Sequence, residues 1–126
     1  MLVLDSGGFG RLSERSKKAL ALIEEFRLAG LWPPVVPTMV LVESLQGHPG
    51  RDANANRFLK TVMTDDSVTV DVARRAAELR RRAKHGSAVD ALVVAMAEPD
   101  GTVLTGDETD ITALSAVSTG VTVELV

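Results

Sequence analysis

Short apolar runs alternate with helical patterns along the whole chain, and no tight hairpin turn joins any two of these runs. The predicted strands are residues 1–4, 33–37, 68–70, 102–104 and 121–126. The predicted helices are residues 13–28, 38–46, 52–63, 71–84, 88–98 and 108–115. Strands that alternate with helices are typical of a parallel sheet with helices on both faces. The pattern therefore predicts a three-layer α/β fold that forms a single domain over residues 1–126.

The composition narrows the class of protein. Of the 126 residues, 45% are hydrophobic and 25% are charged, which is close to the average for globular domains. The chain has no cysteine, so disulfides, thiolate zinc sites and cysteine nucleophiles are excluded, and a reducing compartment is favoured. The longest strongly apolar run, residues 91–97, is too short to span a bilayer. We expect a soluble cytoplasmic protein.

Two aspartates follow predicted strands, and sheets of this kind bind ligands beyond the carboxyl ends of their strands. Asp5 follows the first strand, and Asp107 follows the strand at 102–104. Each also has an ordinary explanation. Asp5 fits a turn aspartate, and Asp107 fits the start of a helix whose first turn contains Glu108 and Asp110.

Two further acids lie on predicted helices. Asp90 follows Ser87 by three residues, which matches a capping box. Glu43 lies in the segment TMVLVESL, which is too apolar for a surface helix, and an unpaired carboxylate on a buried face is costly. If all these carboxylates meet at one edge of the sheet, a divalent ion would offset their repulsion. An all-oxygen ligand set favours Mg²⁺ or Mn²⁺ over zinc.

Four motifs, LVLDSG, TMVLVESL, SAVDALVVAMA and VLTGDETDI, occur in an order and at a spacing that resemble the PIN-domain family of metal-dependent ribonucleases. The similarity is strongest to the VapC-type toxins of toxin–antitoxin pairs. This resemblance implies a parallel sheet with strand order 3-2-1-4-5. The implied catalytic acids are Asp5, Glu43, Asp90 and Asp107. The implied metal ligands are Asp5, Asp90 and Asp107, with Glu43 and Asp110 as further candidates, and with Ser6 and Thr105 as nearby hydroxyl groups.

One segment departs from the family pattern. The run Ser6-Gly7-Gly8-Phe9-Gly10 follows the first aspartate, and its glycines are expected to delay the helix that usually starts there. The resemblance also implies two protein partners: an antitoxin that blocks the acidic site, and a second copy of the chain in a homodimer.

Basic residues are concentrated on one predicted helix, although the net charge of the chain is −3. Six of them lie between Arg74 and Lys84, where Glu78 is the only acid. The predicted RNA-binding residues are Arg80, Arg81, Arg82 and Lys84, through contacts to phosphates. The alternative is a solvated helix face, which the i,i+4 spacing of Glu78 and Arg82 favours.

The resulting hypothesis is a Mg²⁺- or Mn²⁺-dependent endoribonuclease that acts as a toxin. The ion would polarise the scissile phosphate and activate a water, and Glu43 would ligate the ion or help deprotonate the water. His48 and His85 are not expected to take part. A non-catalytic PIN-like module that binds RNA or a protein partner remains the main alternative. A receiver-like phosphoryl-transfer domain is disfavoured because it would need paired acids where Asp5 stands alone.

Overall fold

The computed structural model describes all 126 residues of the chain. The strands are β1 (Leu2–Leu4), β2 (Val35–Pro37), β3 (Met63–Asp65), β4 (Thr102–Thr105) and β5 (Thr122–Leu125). The helices are α1 (Ser6–Ser13), α2 (Lys17–Leu28), α3 (Thr38–Ser44), α4 (Ala53–Leu59), α5 (Val70–Ala83), α6 (Ala88–Ala97) and α7 (Glu108–Ala116). No helix combines the length and the apolar character needed to cross a membrane.

All neighbouring strands of the sheet are parallel, and their order is β3-β2-β1-β4-β5. Both the predicted α/β class and the strand order implied by the resemblance are therefore confirmed. The central strand β1 is fully buried, with Leu2, Val3 and Leu4 each 0% exposed. Burial of successive residues requires cover on both faces of the sheet. That cover is α1, packed with α2, α3 and α4, and α6, packed with α5 and α7.

The glycine-rich run after β1 is helical, so the prediction that it delays the helix is wrong. Helix α1 begins at Ser6, directly after Asp5, whose side chain caps it. The glycines allow a close approach instead. A Cβ on Gly7 would lie 2.6 Å from the backbone nitrogen of Gly106, and one on Gly8 would overlap the carbonyl oxygen of Leu104. The weak helix propensity of glycine is overridden by packing against β4.

The helix predicted over 13–28 begins later than expected, at Lys17, and is α2. Ser13 is the last residue of α1, and Ser16 caps α2 by accepting a hydrogen bond from the backbone N–H of Ala19 at 3.1 Å. Both serines fit a helix cap by residue type, but the prediction placed the start of this helix at Ser13, whereas the structure places it after Ser16.

The predicted strand at 68–70 is also wrong. The third strand is β3, at Met63–Asp65, and it pairs with β2. Thr69 instead caps α5, because its hydroxyl accepts a hydrogen bond from the backbone N–H of Val72. The helix predicted over 52–63 ends at Leu59, which leaves the following residues for this strand. As an edge strand of three residues with little burial, β3 carries almost no apolar pattern to mark it.

Candidate metal centre

A polar cavity of about 430 Å³ opens at the carboxyl edge of the sheet. It has no hydrophobic residue in its lining. The residues that line it are Asp5, Ser6, Gly7, Glu43, Ser87, Asp90, Gly106 and Asp107. The four acids that the resemblance implies as catalytic, from four separate motifs, therefore meet in one cavity. No lysine or arginine lines it to neutralise them.

The aspartates of this cavity, and Asp110 close to Asp90 and Asp107, lie at the starts of three helices. Asp5 is the N-cap of α1, and Asp107 is the N-cap of α7. Asp90 is the third residue of α6, in the capping box that the sequence predicted with Ser87. Asp110 is the third residue of α7. The positive end of a helix dipole favours a carboxylate by about 0.3–1 kcal/mol, so the fold offsets part of the repulsion among these charges.

Asp5 is the most buried of the acids, with 5% of its surface exposed. Its Oδ1 accepts a hydrogen bond from the backbone N–H of Gly8 at 2.8 Å, and its Oδ2 accepts one from the hydroxyl of buried Thr105. The Thr105 oxygen in turn accepts a hydrogen bond from the backbone N–H of Asp107 at 2.8 Å. Thr105 thus connects the acid after β1 to the acid after β4.

Burial raises the pKa of Asp5 above its ordinary value. Hydrogen bonds donated by Thr105 and by the backbone of Gly8 act in the opposite direction, and the negative charge of Asp90 adds to the rise. The charged form of Asp5 is therefore costly without a cation nearby.

Three carboxylates of the site come closest together. Oxygens of Asp90, Asp107 and Asp110 all lie within 4.8 Å of one another. Asp90 Oδ2 accepts a hydrogen bond from the backbone N–H of Ser87 at 2.9 Å, and Asp107 Oδ1 accepts one from the backbone N–H of Asp110 at 2.9 Å. Asp90 and Asp107 each use one oxygen as a helix cap, and the second oxygen remains for another partner. Capping and metal ligation are therefore compatible at these positions.

Glu43 reaches the same cavity by a different route. The prediction that its helix is too apolar to lie on the surface is wrong: Val40 is the only buried residue of α3, and Val42 is 83% exposed. The side chain of Glu43 is exposed as well. It lies near the C-terminal end of α3, where the helix dipole disfavours a negative charge.

The site fits a hard divalent cation by the chemistry of its side chains. Carboxylate and hydroxyl oxygens are the available donors, with Asp90, Asp107 and Asp110 close enough to share an ion. Asp5 and Glu43 add negative charge to the same cavity. Mg²⁺ and Mn²⁺ prefer such oxygen ligands, whereas zinc sites use histidine or cysteine more often.

Sequence reasoning missed two contributors to the site. One is the contact between Gly7 and Gly106, which brings the start of α1 against the loop that carries Asp107. The only signal in the sequence was a pair of glycines, each within two residues of a candidate acid. The other is His85, whose Nδ1 lies 3.6 Å from Asp110 Oδ1. The sequence places His85 at a helix end and gives no indication of this contact.

The basic residues of α5 are only partly available to a ligand. Arg80 donates a hydrogen bond to the carbonyl of Gly86 at 3.1 Å, and Arg82 donates one to the carbonyl of Val117 at 3.4 Å. All four predicted RNA-binding residues, Arg80, Arg81, Arg82 and Lys84, are nevertheless exposed. The predicted pairing of Glu78 with Arg82 is wrong, because Glu78 pairs with Arg75 at 3.2 Å.

The fold and the cavity together define an α/β protein of PIN-like fold with an acidic site at the carboxyl edge of its sheet. The chain is similar to one in the crystal structure of FitAcB from Neisseria gonorrhoeae, with a TM-score of 0.62 and 18% sequence identity. The similarity covers 97% of this chain and 96% of that chain. At this identity the likeness shows the fold. No protein-family model matches the chain, and no curated protein matches it.

Proposed function

We propose that this protein is a metal-dependent endoribonuclease that hydrolyses RNA phosphodiester bonds. The observation that carries the proposal is the meeting of Asp5, Asp90, Asp107 and Asp110 at one edge of the sheet, without a lysine or arginine in the cavity. Such an arrangement is costly unless a cation compensates it. The PIN-like fold and the four motifs that resemble PIN-domain ribonucleases point to the same chemistry.

Each residue has a role in this proposal. Asp90, Asp107 and Asp110 hold Mg²⁺ or Mn²⁺, and Asp5 adds a further ligand or binds through water. Thr105 fixes the Asp5 carboxylate and the start of α7. When bound, the divalent ion supplies positive charge to the scissile phosphate and lowers the pKa of water.

Glu43 is the carboxylate best suited to receive a proton from the attacking water. It is exposed, and it is the one acid of the cavity that does not lie at a helix start. It also remains a candidate ligand. Ser6 lines the cavity beside Asp5 and supplies a hydroxyl that can donate to a phosphate oxygen.

The RNA backbone would approach from the C-terminal end of α5. This end carries Arg80, Arg81, Arg82 and Lys84. It leads directly into the residues around Ser87 that line the cavity, and the Arg80–Gly86 hydrogen bond holds the two segments together. Positive side chains beside an acidic site would hold the phosphates that the acids alone would repel.

The cellular role follows from the resemblance and is part of the proposal. The protein would act in the cytoplasm as the toxin of a toxin–antitoxin pair. A cognate antitoxin would inhibit it by placing a basic side chain in the acidic cavity, and the active form would be a homodimer.

The test is cleavage of structured RNAs by purified protein, with Mg²⁺ or Mn²⁺ and with chelator. Asp107→Asn is the site variant, and Asp66→Asn, in an exposed segment outside the cavity, is the matched control. We expect cleavage that requires the metal, is lost in Asp107→Asn and is kept in Asp66→Asn. Cleavage that survives chelation or persists in Asp107→Asn would contradict the metal mechanism. Tight RNA or protein binding without any cleavage would favour the non-catalytic module.

A further inference from the structure

The loop between α3 and α4 is held closed by one buried carboxylate. Asp52 is 6% exposed. Its Oδ1 accepts a hydrogen bond from the backbone N–H of Gln46 at 2.9 Å, and its Oδ2 accepts two, from Gly47 at 2.9 Å and His48 at 3.2 Å. These hydrogen bonds lower the pKa of Asp52, so it is ionised at neutral pH. The carboxylate organises residues 46–48 as a rigid turn.

A histidine completes the same loop. The Nδ1 of His48 accepts hydrogen bonds from the backbone N–H groups of Gly50 at 3.2 Å and Arg51 at 3.3 Å. This contact requires an unprotonated Nδ1. Neither His48 nor Asp52 lines the acidic cavity. Their side-chain hydrogen bonds are all with backbone groups of the loop, and neither side chain takes part in the proposed chemistry.

The loop begins directly after the helix that carries Glu43. Helix α3 has seven residues, one buried side chain at Val40, and no side-chain hydrogen bond at its N-cap. A helix this short has little stability of its own, so its last turn depends on the loop that comes after it. The turn closed by Asp52 starts three residues after Glu43.

We propose that Asp52 is a positioning residue for Glu43: by closing the loop at residues 46–48, it fixes the last turn of α3 and holds the Glu43 carboxylate in the acidic cavity. The inference rests on the proposed function. Asp52 touches neither the metal ligands nor the substrate. It acts through the backbone. Without the turn that Asp52 closes, the exposed Glu43 carboxylate would no longer be held at the cavity.

A double-mutant cycle separates positioning from simple stability. Asp52→Asn, Glu43→Gln and the double variant are compared for kcat and KM on a cleavable RNA with Mn²⁺. We expect Asp52→Asn to lower kcat about 10-fold to 100-fold, as for residues that orient a catalytic group, with little change in KM. In the Glu43→Gln background the same substitution should have no further effect. Independent, multiplying losses in the two backgrounds would overturn the positioning role.

Two further variants make the cycle interpretable. Asp65→Asn is the matched control, because Asp65 also closes a loop by accepting hydrogen bonds from Ser67, but it lies outside the cavity. It should leave kcat unchanged. Gly47→Ala disturbs the Asp52 turn without removing a charge, because Gly47 has φ +75°, which strains an alanine although no atom lies within 4 Å of the added Cβ. It should lower kcat less than Asp52→Asn and again lose its effect in Glu43→Gln.

A readout without activity keeps the inference separate from the proposed function. Hydrogen exchange of the metal-free protein should accelerate at residues 43–48 in Asp52→Asn and stay unchanged there in Asp65→Asn. Unchanged exchange at Glu43 in Asp52→Asn would overturn the inference even if the enzyme cleaves RNA. If the wild-type protein cleaves no RNA, the proposed function fails, and the exchange experiment alone decides whether Asp52 orders the end of α3.

Discussion

The carboxylates of the acidic cavity and the carboxylate of Glu98 differ in whether the chain supplies a basic partner. The Glu98 side chain is 11% exposed, and its two oxygens accept hydrogen bonds from Arg75 at 2.8 Å each. Glu98 also accepts a third hydrogen bond, from the backbone N–H of Thr119 at 2.6 Å. In the cavity, by contrast, Asp5 and its neighbours have helix starts and hydroxyls around them but no lysine or arginine.

This difference separates acids that hold the fold together from acids that are available to a ligand. Glu98 links α5, the end of α6 and the segment before β5, and its charge is balanced within the chain. The cavity acids repel one another, and burial raises the pKa of Asp5. A fold that pairs the partly buried Glu98 with an arginine, and leaves the cavity carboxylates without lysine or arginine, favours binding of an external cation in the cavity.

The largest expected effect is loss of activity in Asp90→Asn. The substitution removes a negative oxygen from the three-carboxylate group, and we expect kcat/KM to fall by about 100-fold or more, above the range for residues that only support a ligand. Asparagine can still accept the hydrogen bond from Ser87, so the unfolding free energy should change by less than about 0.5 kcal/mol. Metal-dependent RNA cleavage and urea unfolding provide the two measurements. Full activity of Asp90→Asn would show that Asp90 is not a metal ligand.

Glu98→Gln should produce the reverse pattern, with a loss of stability and normal activity. Replacing the charge-assisted pair with a neutral amide should lower the unfolding free energy by about 2 kcal/mol. Urea unfolding should show a lower midpoint at an unchanged slope. The control is Glu78→Gln, whose more exposed pair with Arg75 should contribute less than about 1 kcal/mol. If the two substitutions lowered the unfolding free energy equally, Glu98 would not be a specially stabilising carboxylate, and the contrast with the cavity acids would be lost.

A smaller effect is expected for Asp5→Asn, and it is a gain rather than a loss of stability. Because burial raises the pKa of Asp5, its charge is costly at neutral pH, and the neutral amide should raise the stability of the metal-free protein by about 1 kcal/mol. Added Mn²⁺ should stabilise the wild-type protein by binding only its folded form, and should do so much less in the variant. Thermal unfolding with and without Mn²⁺ tests both parts. A variant that is less stable without metal and responds fully to Mn²⁺ would contradict them.

The sequence predicted well those features that depend on strand order. Asp5 and Asp107 each follow an apolar strand, so a parallel sheet brings them to one edge whatever the loops do. The features that it missed depend on contacts between distant segments. The helix at Ser6–Ser13 packs Gly8 so closely against Leu104, which is distant in sequence, that no side chain would fit between them. The surface position of α3 was hidden by its apolar composition, and only the packed structure shows that Val42 is exposed.

The two regions should also respond to pH with opposite signs. Hydrogen bonds from Arg75 lower the pKa of Glu98 below its ordinary 4.5. Glu98 therefore stabilises the fold above about pH 4.5, and that contribution is lost as the pH falls through its lowered value. The pKa of Asp5 is raised above 3.8. Its charge therefore destabilises the fold at neutral pH, and protonation relieves this cost as the pH falls through the raised value.

Unfolding free energies measured between about pH 3 and pH 7 should separate these contributions. Glu98→Gln should flatten the loss of stability on the acid side, because the group that must take up a proton on unfolding at low pH is absent. Asp5→Asn should gain most over wild type near neutral pH and least in acid. Parallel pH profiles for the three proteins would show that neither carboxylate has a perturbed pKa.

The smallest expected effect concerns the basic end of α5. Arg80 and Arg82 each hold a backbone carbonyl, so their removal would disturb the fold as well as any RNA contact. Arg81 takes part in neither bond and is exposed. Arg81→Ala should therefore weaken RNA binding without loss of stability, and should reduce the slope of log affinity against log salt by about 0.7, as for one phosphate contact to a single strand.

The control is Arg11→Ala. Arg11 lies in α1 and pairs with Glu14, just after that helix, and its removal should leave the slope unchanged. If the two substitutions give the same slope, the positive end of α5 is a solvated surface, and the RNA backbone must reach the acidic cavity from another side.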